Sequence, residues 1–254
     1  MHTYPEPYPP AWSKMEINAK SPKDIPRAYS LYYSRMAKTF SHLTKLSHPR
    51  VVLEAGCGRG QLTLPLLKNL PERTKLTGVD SSRGPYTGWL EELQVRVDQL
   101  GLADRVQLVQ ADVRKMSRIG SETIDIIISN ELLCDLPQES QLKKALSEFR
   151  RVLRPGGLMV HGEWSSFPEN KAQSLMIKHW PSWNPDQLFQ IMTKAGFRNF
   201  LTTYFDQTIA FDYRAAVEEL RGWGASASMI KRNDRILRRR GIQLPFEHIV
   251  QCRK

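Results

Sequence analysis

The stretch Val51-Val-Leu-Glu54-Ala-Gly56-Cys57-Gly58-Arg-Gly60 constrains this chain more than any other. A short β-branched and apolar run ends in a carboxylate, and glycines fall at 56, 58 and 60. Leucines at 62, 66 and 70 then recur at helical spacing. The pattern predicts a strand, a tight glycine loop and a helix, with backbone brought close to a flat ligand at the strand end. The dinucleotide fingerprint G-x-G-x-x-G needs a glycine where this chain has Gln61. No Lys-Ser or Lys-Thr pair follows to make a phosphate-gripping loop. The loop suits a nucleoside-like ligand without a pyrophosphate; an ordinary glycine-rich strand-to-helix turn is the bland alternative.

Downstream spacing narrows the choice. Lys75 to Asp80 reads as a second strand ending in a carboxylate, placed to meet ribose hydroxyls. Val106 to Asp112 alternates and again ends in Asp. Ile124 to Asn130 is nearly all apolar, as in a strand buried on both faces. A helix including Glu148 to Leu153 meets the turn Arg154-Pro-Gly-Gly157, and a fifth strand follows over Leu158 to Gly162. Pro185 to Ala195 reads as a helix closed by Gly196, feeding a sixth strand from about Phe200 to Phe211, and Phe246 to Cys252 reads as a closing seventh. The fold class is therefore α/β: a Rossmann-like, doubly wound sheet of seven mainly parallel strands, with helices on both faces and a helical cap.

The order E-x-G-x-G-x-G, then Asp80, Asp112 and Asn130, resembles the class I S-adenosylmethionine-dependent methyltransferases over roughly residues 50 to 205. The resemblance implies S-adenosylmethionine as cofactor. It places Glu54, Gly56, Cys57, Gly58 and Gly60 beside the methionine moiety and ribose, and Asp80 with Ser81 on the ribose hydroxyls. It places Asp112 and the backbone of Val113 at the adenine, and Asn130 near the methionine amino group. A helical insertion before the last strand is similar to the small-molecule branch of these enzymes, where it closes over the acceptor.

Methyl transfer needs an aligned acceptor lone pair, exclusion of water and, for many acceptors, removal of a proton. Groups for that work belong beyond the carboxyl ends of the fourth and fifth strands, where the chain offers Asn130, Glu131, Asp135, His161 and Glu163. Alternation puts His161 and Glu163 on one side. His161 is the natural base because imidazole titrates near neutrality; a hydrogen-bonded structural histidine is the competing reading. The segment after Asn130 lacks the [N/D]-P-P-[Y/F] signature of enzymes that methylate base or glutamine amino groups. Glu131 and Glu139 are similar to the paired glutamates of protein arginine methyltransferases. However, that family's Thr-His-Trp element has no counterpart, and Glu139 also suits the first turn of a helix after Pro137.

A length of 254 residues fits one enlarged domain, with residues 1–50 as an N-terminal helical cover and 51–254 as the catalytic domain, including a helical insertion at about 213–244. In the cover, Asp24 is a candidate N-cap, with Pro26 in the first turn of a helix running to Leu46. Tyr29, Tyr32 or Tyr33, Met36 and Phe40 share one face of it. Net charge is +11, and all of it lies in the flanks: residues 1–50 carry +5, residues 213–254 carry +6, and residues 51–212 are neutral. This favours an anionic small-molecule acceptor under a basic cover, against the alternative that the arginines form solvated outer faces. Tyr33, Trp164 and Trp180 are candidate acceptor contacts, and the aromatic stretch 164–184 reads equally as a lid or as packing. RNA or a protein side chain is the second choice of acceptor, and a cofactor-binding scaffold without chemistry the third. Three scattered cysteines suggest no disulfide framework and no metal site. No apolar run reaches membrane-span length, so a cytoplasmic protein is expected.

Overall fold

The computed structural model describes residues 15–44 and 49–254. Its first half runs β1 (Met15–Ala19), α1 (Ile25–Thr44), β2 (Val51–Ala55), α2 (Thr63–Asn69), β3 (Lys75–Asp80), α3 (Trp89–Gln99), β4 (Val106–Gln110) and β5 (Ile124–Asn130). Then come α4 (Glu139–Val152), β6 (Leu153–Trp164), α5 (Lys171–His179), α6 (Pro185–Lys194), β7 (Arg198–Phe205) and β8 (Gln207–Phe211). The chain closes with α7 (Tyr213–Gly222), α8 (Ala227–Arg240), β9 (Ile242–Gln243) and β10 (Glu247–Arg253).

Seven strands form the main sheet in the order β4-β3-β2-β5-β6-β10-β7. Strands β4 to β6 run parallel, and β10 enters antiparallel between β6 and β7. The expected doubly wound, mainly parallel seven-stranded sheet is what the chain forms. Ile126, Ile127 and Ile128 are all fully buried because helices cover both faces, which is why β5 reads as an unbroken apolar run. One face packs with Tyr32, Met36 and Phe40 of α1 and with α2 and α3. The other packs with Leu142, Leu146 and Phe149 of α4 and with α6. Phe149 has no exposed surface, so cutting it to Ala costs about 3–5 kcal/mol.

Several local expectations are corrected. The strand expected over Phe200–Phe211 breaks at Asp206 into β7 and β8, which belong to different sheets. Strand β8 instead lies between β1 and β9 in a second, three-stranded sheet, parallel to β1 from Met15↔Gln207 to Ala19↔Phe211. The aromatic stretch 164–184 contains helix α5, started by Asn170, whose side chain accepts from the backbone N–H groups of Ala172 and Gln173. Asp24 stands immediately before α1, and a short 3-10 turn over Pro22–Asp24, with Ser21 at its N-cap, precedes it. Asp24 closes the box by accepting from the Ser21 backbone at 2.9 Å. The fifth strand begins earlier than expected, at Leu153. The proline-rich start and the last two residues expected in α1, Lys45 and Leu46, lie outside the described residues.

Candidate active site

The glycine loop follows β2 and turns back over β3. Gly56, Gly58 and Gly60 all adopt positive φ, at 75°, 50° and 85°. A Cβ on Gly60 would sit 2.3 Å from Leu93 Cδ1 on α3, and one on Gly56 would sit 2.9 Å from Leu132 Cδ1. Both backbone conformation and space therefore demand glycine. The N–H groups of Gly56 and Cys57 donate to the Val79 carbonyl at 2.8 and 3.1 Å, fixing the loop on the neighbouring strand. Cys57 is buried against Gly78 and packs the loop rather than presenting a thiol.

Two carboxylates anchor this cradle. Asp80 accepts from the backbone N–H of Gly58 at 2.9 Å and of Ser82 at 2.7 Å. Those bonds orient it across the loop, with further lone pairs free for hydroxyl donors, and Ser81 beside it is partly exposed. Glu54, 2% exposed, leaves Oε2 without a hydrogen-bond partner. Burial pushes its carboxyl up to about 8 against a smaller lowering by the Thr63 hydroxyl. A buried acid with an open oxygen beside a glycine cradle fits a cationic group. Asp112 is half-exposed and is forked by the Arg114 guanidinium, with Nε–Oδ1 at 2.9 Å, which holds its carboxyl below the usual range. Val113 is buried behind it.

The ends of β5 and β6 carry a second group of polar side chains. Glu131 has φ +50°, a left-handed conformation costing about 1–2 kcal/mol for a residue with a Cβ, and its N–H donates to the Gly162 carbonyl at 2.9 Å. His161 and Glu163 are on one side, as expected, with Nε2–Oε2 at 3.4 Å. Both are fully buried. His161 Nδ1 meets the Ser129 hydroxyl at 2.8 Å, and Glu163 accepts from the backbone N–H groups of Cys134 and Trp164. His161 therefore stands behind Glu163 and away from the cleft surface, which weakens its reading as the base that meets an acceptor. On the neighbouring strand β10, Glu247 pairs in register with Trp164 of β6 and accepts from the Tyr32 hydroxyl. Burial pushes Glu247 up to about 7 and, with the nearby Glu247 charge, holds Glu131 well above the carboxylate range. Asn130 lies beside this group: its Oδ1 would clash with any Cβ on Gly162 and has no hydrogen-bond partner.

The cover is aromatic and acidic toward the cleft. Tyr29 donates to Glu219 on α7 at 2.5 Å and stacks on Tyr33 at 6.0 Å, and Tyr33 meets Tyr32 edge-on at 5.5 Å. Trp164 stacks on Trp223 at 5.1 Å, and Trp180 meets Trp223 edge-on at 5.2 Å. The basic residues of α8, Lys231, Arg232, Arg235 and Arg238 to Arg240, are all exposed. Their charge occupies an outer face, so the argument from flank charge to an anionic acceptor loses its footing. Glu139 is also outward, paired with Lys143 at 2.7 Å, and does not join Glu131. Glu219, Glu247, Tyr29 and Trp223 were not among the sequence candidates. Glu247 could have been noticed as the carboxylate that opens the closing strand. No helix among the described residues is long and apolar enough to cross a membrane.

A family model described as a methyltransferase domain matches residues 52–157. The chain is 28% identical over 170 residues to an uncharacterized protein of Haemophilus influenzae, covering 64% of each chain. It is 32% identical over 116 residues to the malonyl-[acyl-carrier protein] O-methyltransferase of Halalkalibacterium halodurans, covering 44% of this chain and 38% of that one. The chain thus spans less than two thirds of either relative. Among solved structures, a geranyl diphosphate methyltransferase in complex with SAM superposes with a TM-score of 0.56 at 18% identity, over 87% of this chain and 84% of that one, a likeness of fold.

Proposed function

We propose that this chain, whose residues 52–157 match a methyltransferase-domain model, is a class I S-adenosylmethionine-dependent methyltransferase that transfers a methyl group to a small molecule held under the α1–α7 cover. The observation that carries this reading is the cradle itself: three glycines at positive φ, Asp80 held by two backbone donors, and buried Glu54 with an open oxygen. The cofactor supplies an activated methyl on a sulfonium. Glu54 neutralises nearby positive charge, Asp80 orients the ribose, and Asp112 with the Val113 backbone borders the base. Trp164, Trp180 and Tyr33 keep water from the transfer point. An RNA acceptor would draw on the exposed arginines of α8, but the tyrosine- and glutamate-lined cleft does not match a phosphate backbone.

Calorimetric titration with S-adenosylmethionine and S-adenosylhomocysteine tests the proposal. Both should bind, and Asp80→Ala should weaken both by more than about tenfold, or 1.4 kcal/mol. Absence of binding by the intact protein, or an unchanged affinity in Asp80→Ala, refutes it.

A further inference from the structure

We propose that the acceptor is a small cationic nitrogen base, an ammonium or amidinium-type group, received between Glu131, Glu219 and Glu247 and walled by Tyr29, Tyr32 and Tyr33. This rests on the methyltransferase reading and names the substrate class of the same site.

Three carboxyls converge there from distant parts of the chain: Glu131 after β5, Glu219 on α7 and Glu247 at the start of β10. Glu219 is 8% exposed and Glu247 is fully buried. Two of their oxygens are tied to tyrosine hydroxyls, Glu219 to Tyr29 and Glu247 to Tyr32. The remaining oxygen of Glu247, Oε2, makes no well-formed hydrogen bond, and Glu131 and Asn130 are the polar side chains beside it. A Cβ on Gly162 would meet that oxygen at 2.9 Å and Asn130 Oδ1 at 2.2 Å, so glycine here lets the two side chains approach each other. Among the described residues, no lysine or arginine forms an ion pair with these three carboxyls. Among the same described residues, no grouping of His, Cys, Asp and Glu is arranged to hold a metal ion. Arg59, held over the Trp89 ring at 5.0 Å, is near enough to favour the ionised forms of Glu219 and Tyr33 but forms no ion pair with Glu219.

Buried carboxyls without a counter-charge are costly unless a ligand supplies one. An organic cation does so, and ring faces beside it add cation–π attraction. An anion would oppose ionisation of all three acids and gain no counter-charge from them. The raised carboxyls of Glu131 and Glu247 fit the same picture, because a cation entering the cleft favours their ionised forms.

The chemistry balances. The protonated acceptor gives one proton to the Glu247 carboxylate, which frees a lone pair on nitrogen. That nitrogen forms the new N–C bond as the donor's C–S bond breaks, and the bond's electron pair stays on sulfur as a neutral thioether. The methylated base leaves with its positive charge, and Glu247 returns its proton to water.

The test is a matched pair of planar probes of opposite charge, benzamidine and benzoate, titrated calorimetrically into the full chain saturated with S-adenosylhomocysteine. Benzamidine should bind at least about tenfold more tightly. Glu247→Gln and Glu131→Gln should each erase most of that preference while still binding S-adenosylhomocysteine; Glu131, being only half-buried, serves should Glu247→Gln fail to fold. Equal affinities, tighter benzoate, or no benzamidine binding overturns the inference. Loss of S-adenosylhomocysteine binding by the intact protein would instead defeat the methyltransferase reading. Agmatine and an arginine-bearing pentapeptide separate the sources of the cation. Tighter agmatine supports a free small base; tighter peptide overturns the small-molecule acceptor.

Discussion

Glu54→Gln should make the cofactor-free protein more stable while weakening its hold on S-adenosylmethionine. Glu54 has an ordinary carboxyl value of 4.5 when exposed and about 8 when folded, chiefly from burial. The folded state therefore binds a proton that the unfolded chain has released, and stability falls as pH rises from 4.5 towards 8. At 1.36 kcal/mol per unit, keeping that proton at pH 7 costs about 3 kcal/mol. Glutamine has the same shape and does not titrate. It buries an unpaired donor at the position of Oε2, but so does the protonated acid, so that penalty largely cancels. Urea unfolding of wild type and variant, without cofactor, should show an advantage for Gln of about 3 kcal/mol at pH 7, shrinking below about 1 kcal/mol near pH 5. Thr63 and Asp80 are the groups facing Glu54, and both are common to the two proteins. A difference that stays flat with pH would show Glu54 ionised in the folded state and refute the reasoning. The same titration predicts that wild type binds S-adenosylmethionine more tightly as pH rises from about 6 to 8, and that the variant does not.

Two further substitutions divide the cradle into its parts. Gly60→Ala must displace Leu93 and hold φ at +85°, so a loss of roughly 2–4 kcal/mol in unfolding free energy is expected, with S-adenosylhomocysteine binding abolished in calorimetry. Asp112→Ala removes a pair whose members are 36% exposed, so the melting temperature should hold to within a change worth about 1 kcal/mol while S-adenosylhomocysteine affinity drops more than about tenfold.

The parallel strands were legible because burial on both faces leaves apolar runs, and each run stopped at or just before a polar residue at the carboxyl edge, Asp80, Asp112 or Asn130. The helical insertion expected at about 213–244 is helices α7 and α8, which break at Gly222-Trp-Gly224. Pairings were not legible. Met15–Ala19 is five residues long, and nothing local to it says that its partner lies at 207–211. Glu247 was legible as the edge of a last strand. Its meeting with Tyr32 and Gly162 follows only from β10 inserting between β6 and β7, a fact of sheet order. His161 shows the opposite failure. Its residue type suggested chemistry, and tertiary burial placed it behind Glu163.

The small sheet β1-β8-β9 has an evolutionary consequence. It fastens the segment that supplies Tyr29, Tyr32 and Tyr33 to the strand that leads directly into α7 and Glu219. The third carboxyl, Glu247, belongs to a core strand and still takes its hydroxyl partner from α1. Acceptor choice is thus written across three separated stretches that interlock by tyrosine–glutamate pairs. Transplanting any one of them into a related enzyme would strand a buried acid or a buried phenol. A change of acceptor in this lineage would therefore come by single substitutions within the interlocked set, while the glycine cradle, which shares none of those pairs, stays constant beneath it.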